Sequence, residues 1–186
     1  VDVQTEDTKA QIRAAAVELF TTNGFEKTSL REIADRVGIT KASLYYHYPS
    51  RQALLEAVVE PLVGDWRRTV EAAVALPHTP ENVRLVLARC MDTMLRHRAV
   101  SGLLLRDASS IFATLATRWN DLIALNVRLH TWLAGPHASA ERRIRAVAAL
   151  ETLSVALGSG ALLPEVSDDD LRATLLDAAE AALARS

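Results

Sequence analysis

Apolar residues recur along this chain at three- and four-residue intervals, the spacing that lines one face of an α-helix. No stretch of useful length alternates as a half-buried strand would. Ile12, Ala16, Leu19 and Phe20 form the first stripe and predict a helix over about 8–22, stopped by Asn23-Gly24. Ser29 and Glu32 have capping-box spacing, so a second helix starts there, turns Leu30, Ile33, Ala34 and Val37 inward and ends at Gly38. Thr40 caps a third helix of barely two turns, over about 40–46, which Pro49 ends. Ser50 caps a fourth that carries Leu54, Leu55, Val58, Val59, Leu62, Val63, Trp66 and Val70 inward to about Leu76, with a kink or a break expected near Pro61. Five more helices are expected over about 80–97, 99–109, 111–133, 139–158 and 168–185, the last opening on Asp168 to Asp170 at its positive end. The expected fold is therefore all-α, with about nine helices. A three-helix N-terminal unit, 1–49, precedes a larger helical body, 50–186, and the fourth helix joins them.

Composition narrows the class without naming a function. Hydrophobic residues are 49% and charged residues 24% of 186, ordinary for a packed globular chain. The single cysteine, Cys90, excludes an intramolecular disulfide, and none of the five histidines has a second at i+4, so neither a metal site nor a cofactor is expected. No apolar run approaches the roughly 20 residues of a membrane span, and the polar opening does not resemble a signal peptide. A reducing, cytoplasmic location with no membrane partner is the expectation.

The total charge of −2 conceals a local excess. From Lys27 to Arg51 the five basic residues Lys27, Arg31, Arg36, Lys41 and Arg51 meet only Glu32 and Asp35, a balance of +3. The same segment has the layout of a helix-turn-helix that begins at Leu30. Ala34 is small where two helices touch, Gly38 makes the turn, and Ile33, Val37, Ile39 and Leu44 face inward. Outward on the third helix are Thr40, Lys41, Ala42, Ser43, Tyr45, Tyr46 and His47. Small residues let a backbone approach base edges in a major groove, hydroxyls can bond there, and alanine can meet a thymine methyl. All three tyrosines, Tyr45, Tyr46 and Tyr48, fall within four positions. A tyrosine hydroxyl can reach a phosphate oxygen, although Tyr48 is expected to pack inward.

Phe20-Thr21-Thr22-Asn23-Gly24-Phe25 through Thr28, followed by Ile33-Ala34-Asp35-Arg36-Val37-Gly38-Ile39-Thr40-Lys41-Ala42-Ser43-Leu44-Tyr45-Tyr46-His47-Tyr48-Pro49-Ser50-Arg51, resembles the DNA-binding domain of the TetR family of bacterial transcriptional regulators. The likeness covers about 9–58. It implies a homodimer whose third helix enters the major groove of a double-stranded DNA operator, and a body that binds a small effector and dimerises through its last two helices. Carried over by position, Thr28, Thr40, Lys41, Tyr45, Tyr46 and Arg51 match DNA or phosphate contacts. Lys27, Arg31, Ala42, Ser43 and His47 complete the candidate surface. Tyr48 stands where the family often has phenylalanine, and Arg51 where lysine is frequent.

In the body, Trp66, Met91, Met94, Phe112, Leu115, Trp119 and Leu122 read first as core. On the resemblance they are also the candidates to line an effector pocket, for which Met and Trp suit varied ligand shapes. Leu150, Leu153, Leu157, Leu171, Leu175, Ala178 and Ala182 either pack within one chain or form a four-helix dimer interface. The dimer is the expectation, because small alanines allow close helix approach. The function expected is a repressor released by a small, largely apolar effector of unidentified structure. An activator of the same fold and a helical protein-interaction adaptor are the alternatives. An enzyme is not expected, since no nucleophile–base pairing, phosphate-cradling glycine loop or metal-ligand spacing is present.

Overall fold

The computed structural model describes residues 3–107, 111 and 115–184. Among the described residues it contains nine helices and no strand: α1 Val3–Asn23, α2 Leu30–Val37, α3 Lys41–His47, α4 Arg51–Val74, α5 Pro80–Arg96, α6 Arg98–Arg106, α7 Ala116–Ala134, α8 Ala140–Leu162 and α9 Asp168–Ala184.

Local chemistry sets most of these boundaries. The Ser29 amide donates to the Glu32 carboxylate at 2.7 Å while Ser29 Oγ accepts the Glu32 amide at 3.2 Å, the reciprocal pair that starts α2. Those bonds hold the Glu32 carboxyl below the usual carboxylate range. Gly38 ends α2 at φ 78°, where a Cβ would strain the backbone, and Ile39 then returns its amide to the Ala34 carbonyl at 3.0 Å. Thr40, Ser50, Thr79 and Ser139 each accept an amide of the following first turn. Past α7, Gly135 takes φ 86°, and a Cβ there would stand 2.9 Å from the His78 ring, so both conformation and space demand glycine.

Several expected boundaries shift, and α1 begins at Val3, five residues before its expected start. α4 is one unbroken helix through Pro61, since an exposed proline on a long amphipathic rod leaves the packed face intact. α8 runs four residues past Gly158. α7 begins at Ala116, after a bend at Leu115, five residues later than its apolar pattern suggests.

The chain divides into two units, 1–61 with 102–116, and 62–101 with 117–186. The expected boundary after residue 49 is thus displaced. α4 stays with the first unit as far as Pro61, and a segment beginning at Gly102 in the middle of α6 returns to it. In the first unit Ile12, Ala16, Phe20, Phe25, Ile33, Leu44 and Tyr48 are buried, as are Leu103, Ile111 and Leu115. Phe20 and Phe25 meet edge to face at 5.3 Å.

The second unit, the body, has a core built from Trp66, Val70, Val86, Leu87, Cys90, Met91, Met94, Leu125, Leu129, Leu133, Leu150, Leu153 and Leu171. Burial drives the Cys90 thiol up to about 12, so it stays protonated and inert. Two tryptophans satisfy their donors: Trp66 Nε1 donates to Asn126 Oδ1 at 2.8 Å and Trp132 Nε1 to the Leu76 carbonyl at 2.9 Å.

The leucines expected at a dimer interface point elsewhere. Leu150, Leu153 and Leu171 are buried inside the body, Leu157, Leu175 and Ala182 pack partly buried on the same core, and only Ala178 is exposed. The reason is pairing within the chain: α8 packs most extensively against α9, and α5 against both, so the leucine stripes are used up inside one protomer. The apolar residues left exposed on the body's described helices are others: Ile144, Val147 and Val155 on α8, Ile123 and Val127 on α7, and Leu85 on α5.

Candidate nucleic-acid interface

α3 has a single buried side chain, Leu44, which anchors it in its unit. Every other residue of α3 is exposed or half-exposed. Thr40 uses one lone pair as the cap for the Ser43 amide at 3.1 Å and stays exposed. Lys41 and Ala42 are exposed beside it, and Ser43 is half-buried. Lys41 Nζ lies 5.6 Å over the Tyr45 ring, a cation–π contact that orients the ammonium along the outer face. Tyr45 is 42% and Tyr46 82% exposed, large values for aromatic rings on a short helix. Tyr48 is buried as expected. The His47 ring meets Tyr46 edge-on at 5.4 Å, and its buried Nδ1 has no partner.

Around this face the candidate residues separate into two sets. Lys27 is exposed, and Arg31 is exposed with only a loose 3.8 Å approach to Asp35, so both cations are available. Thr28 and Arg51 turn inward. Thr28 is fully buried and its hydroxyl lies 2.8 Å from the Gly24 carbonyl and 3.2 Å from that of Leu19, locking the α1–α2 turn rather than offering a side chain to DNA. Arg51 donates to the Phe25 and Glu26 carbonyls at 3.3 and 2.9 Å, pairs with the Glu26 carboxylate at 2.9 Å and stacks 4.6 Å over the Phe25 ring. Its charge serves the same turn. Arg36 is likewise occupied, gripping Glu18 at 2.6 and 2.8 Å.

One supporting residue has no counterpart in the sequence pattern. The Asp107 carboxylate accepts the Phe25 amide at 2.8 Å. Phe25 is thus held on its N–H by Asp107 and on its carbonyl by Arg51, two residues before Lys27. A separation of 82 positions leaves no local signal from which that bond could be read.

The seven residues expected to receive an effector are distributed differently. Trp66, Met91 and Met94 are buried in the body's core and Leu122 packs against it, whereas Leu115 belongs to the first unit. Phe112 and the Trp119 side chain lie outside the described residues. Two open cavities of the body, about 550 and 540 Å³, are lined by other residues, among them Val127, His130 and Val147 in one and His78, Arg84 and Glu180 in the other.

A short buried anchor, a positive-φ turn and an exposed face of hydroxyls, cations and an alanine make a helix-turn-helix reading head. Residues 12–58 match the family model described as bacterial regulatory proteins, tetR family. Residues 12–58 therefore form a DNA-binding domain of the TetR type. The HTH-type transcriptional regulator UidR of Escherichia coli (strain K12) is 27% identical over 137 residues, 65% of this chain and 69% of that protein. Among solved structures, Mycobacterium smegmatis AmtR superposes with a TM-score of 0.77 at 21% identity, covering 94% of this chain and 85% of that one. The SmeT–triclosan complex gives 0.72 at 22%, covering 95% and 91%. With this domain in residues 12–58 the chain is a DNA-binding transcriptional regulator.

Proposed function

We propose that this TetR-family regulator is a repressor that binds a pseudo-palindromic operator as a homodimer and is released by a small, largely apolar effector. The observation that carries the reading is the exposed outer face of α3, Thr40 to Tyr46, fixed by one buried leucine. Two such helices fit successive major-groove faces about 34–36 Å apart. Lys27, Arg31 and Lys41 supply the phosphate attraction, Tyr45 and Tyr46 add hydroxyls, and Ala42 allows close approach to bases.

The homodimer rests on the apolar residues the fold leaves outside. Ile144, Val147 and Val155 recur at helical spacing along the outer face of α8, and Ile123 and Val127 lie on α7. A second copy burying this face would exchange the same residues across a two-fold axis. The effector enters the apolar body around Trp66, Met91 and Met94, and the unbranched thioethers of the two methionines repack around a guest more readily than branched side chains. SmeT, whose complex holds triclosan, supports a ligand of this class. Effector binding lowers operator affinity by a coupling of about 1–3 kcal/mol, and the operator weakens effector binding by the same factor. The chain acts by binding rather than by catalysis, in the cytoplasm where bacterial DNA lies.

Selection of bound sequences from random duplexes tests the reading. A recovered two-fold symmetric motif, followed by a small-molecule screen that yields a releasing compound, is the expected result. Recovery of no enriched sequence at low salt would overturn DNA reading. An effector that binds equally well with and without operator would overturn the coupling.

A further inference from the structure

Where α7 turns into α8 the body forms an open cavity of about 550 Å³, lined by the end of α7, the turn and the start of α8. All of its lining belongs to one unit, so the site is complete within the body. Three side chains that carry nitrogen line it: His130 on α7, His137 in the turn and Arg143 on α8. No aspartate or glutamate is among the described lining residues. Thr131 also lines it, but its hydroxyl already donates to the Val127 carbonyl at 2.8 Å. Val127, Ala138 and Val147 give the cavity apolar walls.

The arginines at the start of α8 have separate uses. Arg142 donates Nε to the Ala134 carbonyl at 3.1 Å, closing the end of α7, and lines the other cavity. Arg145 pairs with Glu141 at 2.7 Å. Arg143 donates Nε to the Ala138 carbonyl at 3.2 Å, which fixes its guanidinium, and among the described residues its two terminal nitrogens meet no carboxylate. A guanidinium keeps its proton at any working pH, so the cavity holds a fixed positive charge without a counter-charge. His130 contributes differently. Its buried Nε2 has no partner among the described residues. Burial holds its imidazole below the ordinary value, with Glu151 on α8 pulling the other way, so near neutral pH the ring is uncharged and offers a hydrogen bond. His137 keeps its place in the turn with φ 54°, a left-handed conformation that histidine enters more readily than most residues.

A single fixed cation balances a single negative charge, and a dianion would be left half compensated. The two terminal nitrogens of a guanidinium match the two oxygens of a carboxylate. Apolar walls and a volume within the range of small-molecule sites leave room for a hydrocarbon body behind that carboxylate.

We propose that this cavity binds a small monocarboxylate with a compact apolar body, its carboxylate held by Arg143 and its body lying against Val127, Ala138 and Val147. The site is separate from the core around Trp66, Met91 and Met94, and its occupation requires neither operator nor the apolar effector. Val127 and Val147 also lie on the face proposed to meet a second copy, so the occupant sits at the edge of that seam.

Isothermal titration calorimetry of the full chain at low salt, with butyrate, benzoate and phenylacetate as probes, tests the site. At least one acid binds, and its neutral amide does not. Arg143→Gln weakens that binding by roughly tenfold or more, as expected for the loss of a charge-assisted contact. Arg143→Lys keeps the charge without the planar fork and falls between the two. Arg142→Gln is the control: it removes the same charge one residue away, and affinity stays within about twofold because screening weakens a charge that makes no contact. Inorganic phosphate binds more weakly than the acid. Binding by none of the three acids, equal binding of the amide or of phosphate, or equal losses in Arg143→Gln and Arg142→Gln would each overturn the site. Should Arg143→Gln not fold, Arg143→Lys decides alone, and an unchanged affinity there overturns it. Duplex selection on the same samples keeps the two ideas apart: a chain that enriches no sequence yet takes the acid through Arg143 loses the repressor reading and keeps this site.

Discussion

The Asp107 carboxylate and the Phe25 amide, 82 positions apart, meet at 2.8 Å just upstream of the DNA-reading helices. A hydrogen bond from a backbone amide to a charged acceptor contributes about 1.5–3 kcal/mol when sheltered and less when water competes. Asp107 is half-exposed. Asp107→Ala is therefore expected to cost about 1–2 kcal/mol in urea unfolding, whereas Asp107→Asn, which keeps an acceptor oxygen, costs less than half of that. Operator affinity should follow the same order, since the turn that presents Lys27 loses its anchor. Equal behaviour of the two variants would show that charge rather than the acceptor matters.

Lys41 stands at the outer start of α3 with its ammonium over Tyr45. Lys41→Ala should weaken operator binding across all duplex sequences and reduce the slope of log affinity against log salt by about one, the signature of one lost phosphate contact. A filter-binding titration at several salt concentrations reads it. An unchanged slope with weaker binding would assign Lys41 to a base edge instead.

Ile144 is 68% exposed and Val147 41% exposed on the outer face of α8. Burying a carboxylate there without a partner costs several kcal/mol in a dimer, roughly 3–5, while an exposed substitution changes the fold by only about 0.5 kcal/mol. Ile144→Glu should give a monomer by sedimentation velocity, with thermal unfolding of the protomer little altered and operator affinity sharply reduced. A dimer that survives both Ile144→Glu and Val147→Glu would move the interface to another face.

His130 lines the cavity that also contains His137 and Arg143, and its buried Nε2 has no partner. Burial lowers its imidazole below the ordinary value of about 6.5, with Glu151 pulling weakly the other way. The unfolded chain therefore takes up the proton first as pH falls. Stability present above about pH 6.5 declines as pH drops through that value toward the folded one, and the loss is complete below the latter. Unfolding midpoints measured from pH 7.5 to 5 should slope downward toward acid, and His130→Gln should flatten the slope. An identical slope in the variant would remove His130 as its source.

Helix starts are readable because capping is local: Ser29 with Glu32, Thr40, Ser50, Thr79 and Ser139 each act on the amide three residues away. The outward face of α3 was readable for the same reason, since a seven-residue helix with one buried leucine has few possible orientations. Direction failed where a distant partner decides it. Thr28 matches a DNA contact by position, yet the α1–α2 turn brings the Gly24 and Leu19 carbonyls to its hydroxyl. α8 carries apolar residues on two faces, Ala146, Leu150 and Leu153 on one and Ile144, Val147 and Val155 on the other, and periodicity alone does not say which of them α9 covers. The return of residues 102–116 to the first unit depends on contacts such as Asp107 with Phe25, which no window of sequence contains.

α3 depends on Leu44 alone for its attachment, so its remaining positions are nearly free of structural duty. On the proposed reading, target preference and foldedness then vary independently: swaps at Ala42, Ser43 or Tyr46 are expected to change the duplex preferred while melting behaviour stays put. A chain built this way can acquire a new binding sequence by single steps, none of which passes through an unfolded ancestor.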